Sequence, residues 1–369
     1  MRLSPILSAY ISRHFLVAFF GVLAIIMGLI FLFDVVELLR RAATHGNASF
    51  RGILLLALFK LPQMVQQILP FAVMIGAMAC FWGLTRSREL VVSRSAGVSV
   101  WQFLAPVGGV VFVIGILNIT AFNPLAANLY QRYERMQDQM ALRGSSNNAL
   151  QVGEGGLWLR EMHGDEQVVV HAEEVWHEGL TLNLRGVSVF VSDSHEKFEY
   201  RLEAAVGQLQ KGFFHLEQAR LYRADHPVES FPAYDFDTQL TLERVQDNFS
   251  SPETLSFWEL PGFIRFFENA GFSASRQKLY FQSLLSSPLL LCAMVLVAAA
   301  FSLRPDMRSG GIMMRLAGGV LAGFIFYFFS KLVYALGVSA TLPAVLAAWT
   351  PAIVTGLVGS AALFHLEDG

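Results

Sequence analysis

The chain has 369 residues, 54% of them apolar and 15% charged, with 27 Lys and Arg against 29 Asp and Glu. A soluble domain carries roughly 25% charge, so the composition excludes that class and points to a membrane protein. The net charge of −2 leaves no basic surplus for nucleic acid, but it is unevenly spread: residues 147–253 hold 8 Lys and Arg against 19 Asp and Glu, and the remainder holds 19 against 10.

Taken in chain order, three apolar stretches precede the acidic segment and three follow it. A hydrocarbon core needs on the order of 20 apolar residues per helix. Spans are therefore expected at 15–33, 53–84, 101–122, 284–303, 313–336 and 343–363. The first is too long for a cleavable leader, and Asp34–Glu37 follows it where small residues would mark a cleavage site. Pro62 and Pro70 interrupt the second span and predict kinks, which neighbouring helices make tolerable by re-satisfying freed carbonyls. Cys80 and Cys292 fall inside spans and read as buried thiols. The fold class expected is an α-helical membrane protein of six transmembrane helices, three plus three, with an inserted all-β, jelly-roll-like domain.

Orientation follows from the loops. With the N-terminus inside, Arg86, Arg88 and Arg94 lie in one cytoplasmic loop and Arg304, Arg308 and Arg315 in another, as the positive-inside rule asks. Both termini are then cytoplasmic and the acidic domain lies outside. Several positives break the rule. Arg40 and Arg41 end the first span, Arg132 and Arg135 follow the third, and Arg276 and Lys278 precede the fourth. Lys60 and Lys331 sit within the outer thirds of spans two and five. Two readings stand: snorkelling to headgroups, or a set of cations that binds an anionic amphiphile, since charge within a membrane is costly and usually functional.

Residues 85–99 lie between spans and read as a short amphipathic helix, with Leu90, Val91 and Ala96 apolar, Arg86, Glu89 and Arg94 polar, and Gly97 as a stop. Such a helix either lies on the membrane or docks into a groove of a cytoplasmic partner. Glu89, the one acid among these arginines, would be the specificity contact. A phosphate loop needs Gly-Lys followed by Ser or Thr, and Gly-Lys does not occur here. No ATP or magnesium site is expected in this chain, nor any other cofactor or catalytic activity. His171 and His177 are six apart and do not form a zinc-ligand pattern, so no metal is expected.

The inserted segment alternates as strands do at Thr181–Leu184 and Val187–Val191, with shorter runs around Val168, Tyr200, Phe213 and Ala219. Gly164, Gly179, Gly186, Gly207 and Gly212 are read as turn residues. Many short antiparallel strands suit a sandwich, jelly roll or open barrel, whose edges invite a partner strand. Residues 261–269, rich in Phe, read as a connector helix ending near Gly271. The chain thus divides at 1–145, 146–255 and 256–369.

Several segments together resemble a known family. Ser87–Ser99 (SRELVVSRSAGVS) is similar to the coupling-helix motif of the lipopolysaccharide-export permeases, the LptF/LptG family of Gram-negative bacteria. Leu61-Pro62, Ile68–Phe71, Gly156–Trp158, Phe301–Leu303, Arg308–Gly311 and Ala348–Pro351 resemble family segments in the same order. Val35–Ala42 is more like the LptG branch. The resemblance covers essentially the whole chain. It implies an inner-membrane subunit of an ABC transporter that extracts lipopolysaccharide from the outer leaflet and passes it toward the outer membrane. It implies a heterodimer with an LptF-like paralogue, an LptB-like cytoplasmic ATPase dimer that holds ATP and magnesium, and an LptC-like partner continuing a periplasmic jelly roll. Glu89, with Arg88 and Arg94, would couple to the ATPase, and Arg40, Arg41, Lys60, Arg132 and Arg135 would line the lipid-access side. Asp34 departs from the pattern, because a basic residue is common there. The alternative function is a scaffold permease that moves an external domain without passing lipid, although such proteins usually carry the domain after the first span. A secondary transporter is disfavoured because the expected spans contain no acids.

Overall fold

The computed structural model describes residues 5–45, 49–87, 89, 92, 95, 99–139, 149–153, 156–163, 166–178, 181–192, 198–210, 212–223, 226–238, 251–269, 273–303 and 311–367. The chain forms two compact units: Met1–Leu142 with Pro252–Pro261 and Ser275–Gly369, and Arg143–Ser251 with Gly262–Ala274.

The first unit is helical. Its helices are α1 (Pro5–His45), α2 (Phe50–Arg86), α3 (Val100–Leu117) and α4 (Asn123–Gln139), with a π-helical turn at Asn118–Phe122 joining α3 to α4. After the inserted unit come α5 (Leu260–Asn269), which begins in the first unit and ends in the second, then α6 (Ser275–Ser302), α7 (Gly311–Val338) and α8 (Ala344–Glu367). Six helical stretches among the described residues are long and apolar enough to cross a membrane, as the composition requires. Local signals set their starts. The Ser49 side chain accepts from the Gly52 amide, and Ser99 and Gln102 form a reciprocal capping box at the start of α3.

The main core packs Ile11, Phe15 and Phe19 of α1 against Ala72–Leu84 of α2, Phe103 and Val107 of α3, and Leu291–Ala300 of α6 with Leu303 just beyond it. Two glycines permit its closest approaches. A Cβ on Gly76 would lie 2.8 Å from the Phe19 Cα, and one on Gly115 would lie 2.7 Å from the Pro288 Cα. Helix association inside a membrane draws on such small-residue contacts, since lipid tails are as apolar as leucine.

One sequence expectation fails in this unit. Hydropathy ends the first span at residue 33 and leaves the spans free of acids, yet α1 continues unbroken to His45 and buries Asp34. Apolarity marks where a helix meets lipid; it does not report that a polar continuation finds partners on the adjacent helix.

The second unit contains a seven-stranded antiparallel sheet in which each strand pairs with the next, β1 (Ala149–Gly153), β2 (Gly156–His163), β3 (Glu166–Glu178), β4 (Thr181–Ser192), β5 (Phe198–Gln210), β6 (Phe213–Arg223) and β7 (Glu229–Asp237). The inserted jelly-roll-like β domain is thus realised, among the described residues, as one sheet with nearest-neighbour connections. One face is apolar and buried: Leu157 and Leu159, Val168, Val170 and Ala172, Val187, Val189 and Val191, Leu202 and Ala204, Leu216, Ala219 and Leu221. Glu161 on that face is buried and accepts from the Thr238 hydroxyl at 2.6 Å.

Gly186 and Gly207, expected in turns, lie inside β4 and β5. The reason is a crease across the sheet. Alternation slips by one residue from Leu184 to Val187 in β4, from Ala204 to Gly207 in β5 and from Leu216 to Ala219 in β6. The pairings place Gly186, Ala205, Gln218 and Pro232 at the same level of adjacent strands. Gly186 and Gln218 take positive φ there, at 62° and 55°, and Pro232 is tolerated because β7 is an edge among the described strands. Local slips of this kind bend a sheet without ending its strands. Gly212, with φ of 93°, does sit in the β5–β6 turn. Gly164 and Gly179 lie outside the described residues. His171, a candidate ligand by residue type, packs its ring 4.2 Å from that of Trp158.

Candidate functional site

Several of the expected cations stand where α1 ends, α2 begins and α4 runs toward its C-terminus. Leu38, Ala42, Ile53, Leu56, Ala57 and Tyr133 form a small buried cluster that holds these three helices together, with Phe31, Val35, Phe59, Tyr130 and Met136 packed on it. Around this apolar base stand the cations that topology does not explain. Arg40 and Arg41 are exposed, and both donate to the Glu37 carboxylate at 2.9 Å. The two arginines thus share one acid on that turn. Arg132 and Arg135 are exposed on α4 to either side of Tyr133, and Arg51 is exposed in the first turn of α2. Sequence gives no reason to single out Arg51, because a lone arginine at a helix start resembles any solvated loop charge.

Beneath the arginines lies an ion pair. The Lys60 ammonium donates to the Asp34 carboxylate, bridging α2 and α1. Asp34 is 7% exposed, and its Oδ2 has no hydrogen-bond partner among the described residues. Lys60 is partly exposed, and its ammonium also lies 5.7 Å from the centre of the Tyr133 ring, within cation–π range. Tyr133 stacks on Tyr130 with centroids 5.5 Å apart.

The remaining expected cations lie on α6 and α7. Arg276 and Lys278 are exposed in the first turn of α6, and Lys331 is exposed on α7, its ammonium 5.4 Å from the Tyr327 ring. Nearby, Leu279, Val333, Ala347 and Ala348 make a distinct cluster of α6, α7 and α8. Of the eight basic residues expected to act together, Arg40, Arg41, Lys60, Arg132 and Arg135 are carried by helices that share the α1–α2–α4 cluster, and Arg276, Lys278 and Lys331 by helices that share the α6–α7–α8 cluster. The lipid-facing sides of α1 and α7 are strongly apolar, with Phe20, Leu32 and Phe33 on the first and Phe324, Phe328 and Leu332 on the second exposed.

A polar network, not anticipated from the sequence, also crosses the helical unit. Asn123, fully buried, accepts from the Phe257 amide at 2.8 Å and donates to the Tyr280 hydroxyl at 3.3 Å and to Gln66 Oε1 at 3.5 Å. Gln66 in turn donates to Asn118 Oδ1 at 3.4 Å, and the Trp258 indole donates to the Thr120 carbonyl at 3.1 Å. These contacts fall on the π-helical turn and its C-cap: the Asn118 side chain and the Thr120 carbonyl within it, and Asn123 just after it. They fasten the segment after the inserted domain to α2, α4 and α6. The signal that could have found them is amide residues at 63 and 66 close to Pro62 and asparagines at 118 and 123 within an apolar stretch.

In the expected coupling segment, Glu89, Val92 and Ser95 are helical, while Arg88 and Arg94 lie outside the described residues. The Tyr10 hydroxyl donates to Glu89 at 3.2 Å, so α1 touches the carboxylate expected to meet a partner.

Residues 9–365 match the family described as lipopolysaccharide export system permease LptF/LptG. The lipopolysaccharide export system permease protein LptG of Escherichia coli (strain K12) is 22% identical over 352 residues, covering 94% of each chain. The LptG protein of Haemophilus influenzae is 21% identical over 355 residues, covering 94% of this chain and 95% of its own.

Proposed function

As the chain belongs to the lipopolysaccharide export system permease LptF/LptG family, we propose that it is the LptG-like subunit of an ATP-driven complex that extracts lipopolysaccharide from the outer leaflet of the bacterial inner membrane. The observation that carries this reading is the group of Arg40, Arg41, Arg51, Arg132 and Arg135 around an apolar, aromatic base at the ends of α1, α2 and α4. Phosphate groups of the lipid would be held by the arginines, each able to donate two parallel hydrogen bonds. The acyl chains would lie on the exposed apolar faces of α1 and α7.

Capture alone does not lift the lipid. Drawing an acyl chain from a bilayer costs about 0.8 kcal/mol per methylene, far more than a few exposed ion pairs return. An external energy source and an apolar receiving path are both required. The first is assigned to an LptB-like ATPase dimer reached through Glu89, Arg88 and Arg94. The second is assigned to the buried face of the inserted sheet, continued by an LptC-like β-domain. An LptF-like paralogue completes the permease, with both termini of this chain cytoplasmic and the sheet periplasmic. The test is reconstitution of the assembled complex in proteoliposomes, with lipopolysaccharide inside the bilayer and a soluble β-domain acceptor outside. ATP-dependent transfer to the acceptor is expected; ATP hydrolysis without transfer would instead favour a permease that moves its domain mechanically.

A further inference from the structure

The Asp34–Lys60 pair differs in kind from the arginines above it. Arg40 and Arg41 share an exposed acid, whereas Lys60 faces a carboxylate buried between α1 and α2, only 7% exposed. Lys60 supplies the hydrogen bond to Asp34 Oδ1, and Oδ2 has none among the described residues. Withdrawing Lys60 would strand a buried charge, which is strongly destabilising. The ammonium is therefore anchored. It keeps further donors and the Tyr133 ring beside it, but its charge toward an approaching anion is cancelled by Asp34.

We propose that Asp34 is a specificity-determining residue: it masks the charge of Lys60 from lipids bearing a single phosphate and leaves that lysine as a contact for a polyanionic headgroup already held by the surrounding arginines. The proposal rests on the arginine group binding the lipid headgroup. A neutral pair offers a lone phosphodiester only a dipole, whose attraction falls off faster than that of a charge. A headgroup with several anionic groups is recruited by Arg40, Arg41, Arg51, Arg132 and Arg135. The remaining Lys60 donors then meet it at high effective concentration. The abundant single-phosphate lipids of the surrounding bilayer would otherwise compete for every uncovered cation at this end of the spans.

The experiment uses the full-length protein in its assembled complex, in nanodiscs of phosphatidylethanolamine carrying fluorescent lipopolysaccharide, titrated with phosphatidylglycerol. Asp34→Asn is expected to lower the phosphatidylglycerol fraction giving half displacement about tenfold, equivalent to about 1.4 kcal/mol. Asp34→Asn with Lys60→Gln should return it to within about twofold of the parent, because the gain requires an unmasked Lys60. An unchanged midpoint in Asp34→Asn, or a gain that persists in the double variant, would overturn the proposal. The double variant replaces the ion pair by two neutral amides and supplies an independent test if Asp34→Asn does not fold. A tenfold weaker competition by phosphatidylglycerol in the double variant than in the parent would show that single-phosphate lipids already use Lys60, which also refutes masking. If the parent complex fails to retain lipopolysaccharide at all, headgroup binding by the arginines itself falls, and this proposal with it. If the parent retains it and the variants do not respond, the proposal alone falls.

Discussion

Replacing Asn123 by Ala should loosen the segment that follows the inserted domain, by an amount that the local hydrogen bonds set. The side chain is fully buried and accepts from the Phe257 amide at 2.8 Å. Its own amide donates to Tyr280 at 3.3 Å and to Gln66 at 3.5 Å. Side-chain hydrogen bonds between membrane helices average about 0.6 kcal/mol, so the two long donated bonds contribute little. The Phe257 amide matters more: the residue is half-buried, and a donor left without a partner costs about 1–3 kcal/mol where water does not replace it. Taking about 2 kcal/mol as the central value, local opening at Phe257 becomes about 30-fold more frequent, since about 1.4 kcal/mol is a factor of ten. Hydrogen exchange of a peptide covering residues 255–258, followed by mass spectrometry on the intact complex, reads this directly. Tyr280→Phe removes the hydroxyl's bonds with Asn123 and Gln63 but leaves the acceptor of the Phe257 amide in place, and should accelerate the same amide by no more than about threefold, corresponding to about 0.6 kcal/mol for the lost Asn123 bond. Equal exchange at Phe257 in Asn123→Ala and in the parent would refute the assignment of Asn123 as the clasp. An equal acceleration in both variants would show that the network acts as one unit, with no larger share carried by the Phe257 amide.

Further outcomes are expected elsewhere in the chain. Gly115→Leu should destabilise the helical unit by about 1–3 kcal/mol through overpacking, because even a Cβ there would lie 2.7 Å from the Pro288 Cα. Gly108→Ala on the same helix meets nothing within 4 Å and should leave thermal unfolding of the complex unchanged or slightly raised; equal losses in both would remove the close-approach argument. Glu89→Ala should leave the fold intact and abolish ATP-driven transfer in the reconstituted complex. Tyr10→Phe, which removes only the contact to Glu89, should preserve it, and undiminished transfer in Glu89→Ala would withdraw the coupling role. Reversing Arg40 and Arg41 to Glu should cut stimulation of the ATPase by lipopolysaccharide, whereas Glu37→Gln should not. An unaltered response to the reversal would return both arginines to headgroup snorkelling.

Much of the architecture was legible because it depends on one-dimensional quantities. Six apolar runs of sufficient length can be satisfied only as spanning helices, and the acidic, alternating segment between the third and fourth can only be a domain outside the bilayer. The family resemblance lay in segments such as residues 87–99 and 348–351, and the match over residues 9–365 agrees with it. The exposed arginines other than Arg51, too, could be singled out one at a time, since with the N-terminus taken as cytoplasmic each breaks the positive-inside expectation.

What sequence could not supply was which of these groups meet. Asp34 and Lys60 are 26 positions apart, and neither the extension of α1 past residue 33 nor the burial of its acid is implied by hydropathy, which scores a charge as exposed unless a partner is known. The same holds for Asn123, whose partners lie 57, 134 and 157 positions away, and for Gly186, whose positive φ within a strand follows from a crease shared with neighbouring strands. Length, apolarity and alternation are local and additive, so the chain alone determined that this is a six-span protein with a β insert and positive charge at the ends of several spans. Charge compensation and hydrogen-bond satisfaction are pairwise and long-range, so only the tertiary structure decided that Lys60 meets a buried Asp34, that α1, α2 and α4 share one apolar cluster among these cations, and that a buried asparagine fastens the chain on its return from the inserted domain.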